Sequence, residues 1–188
     1  MTSDTFSING KIAVVTGGAG VLCASICRGF AAAGVKVAVL DLRAEAAESL
    51  AAELGKEAIG IACDVLNKSD IEAASQQVLD AFGRVDILVN GAGGNKPQAT
   101  TSADQSFFDL PAEALRWVFD LNLMGTILPS QVFGSIMASQ KSGTILNISS
   151  IAGHKPTPCF SAYGTAKGPD EGGRGEVQEQ AKCEWQAI

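Results

Sequence analysis

The sequence predicts an α/β fold: a doubly wound parallel sheet with helices on both faces, incomplete at its C-terminal edge. Two observations carry this. Short, β-branched, nearly continuous apolar runs occupy residues 11–17, 35–41, 58–64, 85–91 and 143–150, the mark of strands covered on both sides. Helical patterns alternate with them at 20–33, 43–54 and 70–82, and a longer one runs from Pro111 to Gln140. Alternation of this kind implies right-handed crossovers within one sheet.

Each helical segment has its own signature. The first is small and apolar and stops at Gly34; the second sets Ala47, Leu50, Ala51 and Leu54 on one face. The third places Ile71, Val78 and Phe82 together and opens on Ser69-x-x-Glu72, the pattern of a capping box. The long segment is expected to break near Gly125 or Pro129. Its uncharged stretch from Leu121 to Gln140 holds Asn122, Thr126, Ser130, Gln131 and Ser135, so it reads as a helix buried by protein rather than by lipid.

Composition narrows the function. A chain of 188 residues, 46% apolar and 18% charged, suits one globular unit. A net charge of -6 gives no basic footprint for nucleic acid or an anionic membrane, and neither is an expected partner. Cys23, Cys27, Cys63, Cys159 and Cys183 are odd in number and lack C-x-x-C spacing, so they read as reduced thiols of a cytoplasmic protein. His154 is the single histidine, and no metal site is expected. The N-terminus lacks the basic-then-apolar layout of an export signal.

The strand runs end in Thr16-Gly17, Asp41, Asp64, Asn90-Gly91 and Ser149-Ser150, small or polar groups where an open parallel sheet binds its ligand. Gly17, Gly18 and Gly20 lie between a strand and a helix, where glycines make a tight turn and bring backbone N–H groups against a diphosphate. Asp41 ends the second strand at the offset from which a carboxylate takes the adenosine ribose hydroxyls and repels a 2′-phosphate, so NAD is expected over NADP. Arg43 either pairs with such a phosphate or is a solvated first-turn charge. Asp64 either accepts from the adenine amine or starts the next turn. Asn90-Gly91-Ala92-Gly93 either ends its strand against the cofactor or simply turns the chain. Tyr163-Gly164-Thr165-Ala166-Lys167 puts phenol and ammonium on one helix face, where the ammonium favours the phenolate and brings the usual pKa of about 10 toward working pH. Ser150, at a strand end upstream, can donate to a carbonyl oxygen.

In this order the motifs resemble the short-chain dehydrogenase/reductase family over residues 8–167, which implies a Rossmann-type fold. The resemblance rests on the glycine turn, Asp64, Asn90 to Gly93, Asn122, Ser150, Tyr163 and Lys167. It implies Tyr163 as general acid/base and Lys167 as the group that lowers its pKa and holds the nicotinamide ribose. Ser150 would polarise the carbonyl, and Asn122 would anchor a water relay behind Lys167. The strings TGGAGVLC, VNGAGGNKP, FFDL and DLNLMGT look like the branch called D-mannonate oxidoreductase or fructuronate reductase. The implied substrate is a small carbonyl or alcohol, a sugar acid or polyol; Lys96 and Lys155 are the nearest loop cations for a carboxylate.

Three departures stand against the family pattern. Val21 and Cys23 occupy positions where glycines are usual, and Asn90-Gly91 replaces Asn-Asn. After Lys167 the family's continued helix and further strands are not recognisable. Residues 168–188 are charged at one position in three, twice the density of the rest, and Pro169 interrupts the helix. The expectation is an NAD-binding domain over 1–167 and a divergent, disordered acidic tail over 168–188. With the fourth and fifth strands left without cover, the alternative to an active enzyme is a catalytically impaired dinucleotide-binding fragment. The family assembles as dimers or tetramers, and the chain's own oligomeric state is left open.

Overall fold

A computed structural model describes residues 6–154, 159 and 161–168. Five strands, β1 (Ile12–Thr16), β2 (Lys36–Asp41), β3 (Ala58–Ala62), β4 (Ile87–Asn90) and β5 (Thr144–Asn147), form one sheet in the order β3-β2-β1-β4-β5. Every pairing is parallel, as continuous apolar runs require. The register aligns Thr16 with Leu40 and Asn90, and Asn90 with Asn147, so the carboxyl ends of the central strands finish together.

Alternate residues build the two layers. Ile12, Val14, Ala38, Leu40 and Leu88 face α3 (Lys68–Phe82) and α5 (Gly125–Gln140), burying Ile71, Val78, Phe133 and Met137. Ala13, Val15, Val37, Val39 and Val89 face α1 (Val21–Ala32) and α2 (Ala44–Leu54), burying Cys23, Cys27, Ala47 and Leu50. A smaller cluster joins α4 (Ala112–Phe119) to α6 (Ser161–Lys167) through Ala114, Val118, Ala162 and Ala166.

Four expectations are corrected. The strand cover is uneven: β1 and β2 are buried, whereas β3 and β5 are the sheet edges and largely half-exposed or exposed. β4 keeps its cover, with Leu88, Val89 and Asn90 buried. The cap of α3 is Asn67, whose Oδ1 accepts from the Ser69 amide at 3.0 Å, so Ser69 lies inside the helix. The long helix does not break at Pro129, which sits inside α5; the ladder instead widens to a π-turn over Asp120–Met124 between α4 and α5. The tail falls outside the described residues from position 169 onward.

The base of the sheet is knitted by Asp86. Its Oδ2 accepts from the Ile12 amide at 3.0 Å, its backbone bonds Ile12 and Thr144, and Lys11 and Arg84 neutralise its other oxygen. Asp86→Ala is expected to cost about 2–4 kcal/mol by stranding a buried N–H, and Asp86→Asn less, as read by urea denaturation.

Candidate active site

The crevice opens beyond β1 and β4, the neighbours at which the strand order reverses. Thr16 stitches its two lips together, its Oγ1 accepting from the amides of Gly91 at 3.1 Å and Ala92 at 3.3 Å. Gly17 follows at φ +60°, and a Cβ there would stand 2.9 Å from the Ala92 Cα, so the turn admits only glycine. The Gly18 amide donates to the Leu40 carbonyl at 2.9 Å. A Cβ at Gly20 would meet only the Gly17 carbonyl, at 3.1 Å, so the protein leaves this side of the turn open.

Gly20 leads into α1, whose N-terminus has no side-chain cap and no acidic residue in its first turn. Ala24 returns its N–H to the Gly20 carbonyl at 2.7 Å, and the amides before it lie at the positive end of the helix. The open turn and uncapped helix start fit a diphosphate.

Asp41, 7% exposed, clasps the turn from the side. Its Oδ2 accepts from the Ala19 amide at 3.1 Å, and its Oδ1 from the Arg43 amide at 3.1 Å and Nε at 3.3 Å. Each oxygen has two acceptor positions, so Oδ2 retains one for a ribose hydroxyl. Arg43 is therefore more than a solvated charge: its exposed guanidinium pairs with Asp41. Asp64 lies two residues beyond β3 and takes the Leu66 amide at 2.9 Å, which is the turn-starting role.

The opposite lip centres on Lys167, 4% exposed, whose Nζ donates to the Ile148 carbonyl at 2.8 Å. A Cβ at Gly93 would stand 3.2 Å from that Nζ and 2.8 Å from Asn122 Oδ1, so glycine here lets both polar groups border one small volume. Asn122 is fully buried in the π-turn; its Nδ2 donates to Gly94 O and Val118 O, each at 2.7 Å, and its Oδ1 accepts from the Gly94 amide at 3.1 Å. Asn90 donates to Ser130 and Asn147, while its buried Oδ1 has no partner among the described residues.

The elements thus bring Gly17, Gly18, Gly20, Asp41, Asn90, Gly91, Asn122 and Lys167 to one edge. Ser150 caps a 3₁₀ turn (Ile151–Gly153) by accepting from the Ala152 amide at 3.2 Å. Among the described residues Tyr163 and Ser150 are not hydrogen-bonded to one another. Lys155 and Cys183 lie outside the described residues. Sequence reasoning missed the roles of Thr16 and Gly93; the signals were a hydroxyl at a strand end and a second small residue in the Gly91–Gly94 run.

Two departures from the family pattern prove to be one. A Cβ at position 91 would stand 2.1 Å from Cys23 Sγ, so the thiol fills the space that a side chain at 91 would need. Burial, then the Asp41 carboxylate, push the Cys23 thiol up, and the Lys167 ammonium pulls it back. Burial pushes the Cys27 and Cys63 thiols up to about 12.

A model of the family described as short chain dehydrogenase matches residues 11–172. The chain is 40% identical over 172 residues to an uncharacterised oxidoreductase, UxuB, of Bacillus subtilis (strain 168), covering 86% of this chain and 62% of that protein. It is 36% identical over 165 residues to D-threitol dehydrogenase of Mycolicibacterium smegmatis, with 86% and 61% covered. Among solved structures, a Haemophilus influenzae protein provisionally named D-mannonate oxidoreductase, with bound NAD, superposes at a TM-score of 0.81 and 35% identity, over 86% of this chain and 62% of that one. An NAD+-bound xylitol dehydrogenase gives 0.77 and 33%, over 85% and 60%. The chain spans less than two thirds of the length of these four relatives.

Gly91→Ala is expected to destabilise by about 2 kcal/mol or more, and Cys23→Gly in the same chain to recover at least about 1 kcal/mol, measured as a double-mutant cycle in urea. The raised thiols give a pH signature. Their contribution is whole below the ordinary thiol value of 9.0 and is lost as pH rises toward about 12, because the unfolded chain releases these protons first. The urea midpoint should therefore fall above pH 9, and less so in Cys27→Ala/Cys63→Ala relative to its own value at pH 7.

Proposed function

The chain belongs to the short-chain dehydrogenase family, and from that premise we propose that it transfers hydride between NAD and a secondary alcohol or its ketone, the substrate being a sugar acid or polyol. The observation that carries this reading is the buried Lys167 ammonium beside Asn122 and Gly93, across one crevice from the glycine turn and Asp41. The D-threitol and xylitol enzymes and the provisionally named mannonate enzyme support the substrate class. The two NAD-bound structures support NAD as cofactor.

Gly17, Gly18, Gly20 and the first amides of α1 would hold the diphosphate, Asp41 the adenosine ribose and Asn90 with Gly91 the floor beneath; Asp64, whose Oδ1 is taken by its turn, would offer its other oxygen to the adenine amine. Bound NAD supplies the hydride acceptor or donor. Tyr163 exchanges a proton with the substrate oxygen. The Ser150 oxygen already accepts from Ala152, which leaves its own proton to donate to a carbonyl. Lys167 would hold the nicotinamide ribose of the bound cofactor, and Asn122 fixes the loop around it through Gly94.

Residues 1–167 form the NAD-binding unit in this reading, followed by an acidic tail. Cys23, Cys27, Cys63 and Cys159 are free thiols, which supports a cytoplasmic location. No helix among the described residues is long and apolar enough to cross a membrane.

Tyr163→Phe should lower turnover of the best sugar acid or polyol by at least about 10²-fold while NADH affinity changes less than about twofold. An unchanged rate removes Tyr163 as the proton donor. NADH binding with no turnover of any such substrate favours the cofactor-binding fragment instead. Asp41→Ala should narrow the preference for NADH over NADPH by about tenfold or more, as read by the two dissociation constants.

A further inference from the structure

We propose that Lys96 is the residue that recognises an anionic end of the substrate, so that the site favours an acid over a neutral polyol of the same skeleton. The proposal rests on the dehydrogenase reading above and adds to it the group that selects the substrate.

Lys96 ends the loop that β4 sends over the crevice. It lies three positions after Gly93, so its Cα is within about 11 Å of the glycine beside Lys167 and Asn122. That loop is clamped midway, at Gly94, by both amide atoms of Asn122. The Lys96 Nζ stands 4.2 Å from the centroid of the Trp117 ring, and Trp117 packs on the same α4–α6 cluster as Tyr163. Trp117 also borders the loop itself, a Cβ at Gly94 standing 4.0 Å from its ring, so the seat of the Lys96 ammonium adjoins the loop that borders Lys167.

Its electrostatic state carries the argument further. Among the described residues Lys96 has no carboxylate within ion-pair distance; Lys56, Lys68, Arg116 and Lys141 are likewise without one but lie exposed, whereas Lys96 is half-buried. An indole face attracts an ammonium and limits its sweep without neutralising it. It also accepts no conventional hydrogen bond, so N–H donors of the ammonium remain for an incoming anion. A flexible lysine on open surface would have neither the aromatic seat nor the clamped loop.

D-mannonate and D-mannitol test this, since one carries a carboxylate where the other carries a hydroxymethyl group. Each is titrated into the NADH-loaded chain and followed by ligand-observed NMR, which requires no turnover. The parent should bind mannonate at least about tenfold more tightly than mannitol. Lys96→Met, which keeps an apolar stem for Trp117, should abolish that ratio and leave mannitol unchanged; Lys96→Arg should keep most of it. Trp117→Leu, with the charge retained but unseated, should reduce the ratio in part. Equal affinities in the parent, an unchanged ratio in Lys96→Met, or binding of neither ligand overturns the proposal. Loss of NADH binding, or full turnover by Tyr163→Phe, counts against the dehydrogenase reading instead, so the two failures are distinguishable.

Discussion

A lysine ammonium kept almost entirely from solvent is the constraint from which the rest of the site follows. Removing such a charge from water is costly unless polar atoms replace the water, and the Ile148 carbonyl just past the end of β5 is one of them. That bond fixes where α6 meets the sheet, and Ser149 reinforces it by donating to the carbonyl of the same lysine at 3.3 Å. The approach leaves no room for a side chain at position 93. The backbone of the loop after β4 can then come close enough for Asn122 to grip Gly94 on both its donor and its acceptor.

The π-turn is the counterpart of that grip. The wide turn over Asp120–Met124 is lined by side chains that bond back to carbonyls four residues earlier: Asn122 donates to Val118 O at 2.7 Å, and Thr126 to Asn122 O at 3.1 Å. Ser130 continues the line by donating to Thr126 O and accepting from Asn90. Polar residues along α5 that exclude a lipid span thus connect Asn122 to the end of β4.

Much of this was legible in the sequence, because strand ends and helix starts carry their own chemistry. The five runs, the glycine turn, Asp41 and the Tyr163–Lys167 spacing needed only the periods of helix and sheet and the rule that ligands bind at carboxyl ends. What stayed hidden depends on position in three dimensions. An apolar run does not say whether its strand is central, so β3 and β5 read as covered when they are edges. A 3.6-residue period does not register the single wide turn at Asn122. Asn67 and Ser69 both suit a cap, and only the backbone path decides between them. Cys23 and Gly91 look like two defects until 2.1 Å between a thiol and an absent Cβ makes them one substitution of volume.

Asp41 shows why cofactor preference at such a site is more than one charge repelling another. Its carboxylate holds the Ala19 amide within the glycine turn and the Arg43 backbone at the start of α2, so it is part of the cradle whether or not a ribose is present. A 2′-phosphate placed at this carboxylate would be repelled by it, and the Arg43 guanidinium, whose Nε is held by Asp41, could offset that only with its remaining N–H groups. The guanidinium is 67% exposed, so that contact is weak and could be exchanged, but the two Asp41 bonds to backbone would persist and keep the negative charge in place. A diol, which donates to the remaining acceptor position of Oδ2, demands none of these rearrangements. The bonds that shape the turn are therefore the same bonds that hold the negative charge which, in the proposed reading, would favour an unphosphorylated ribose.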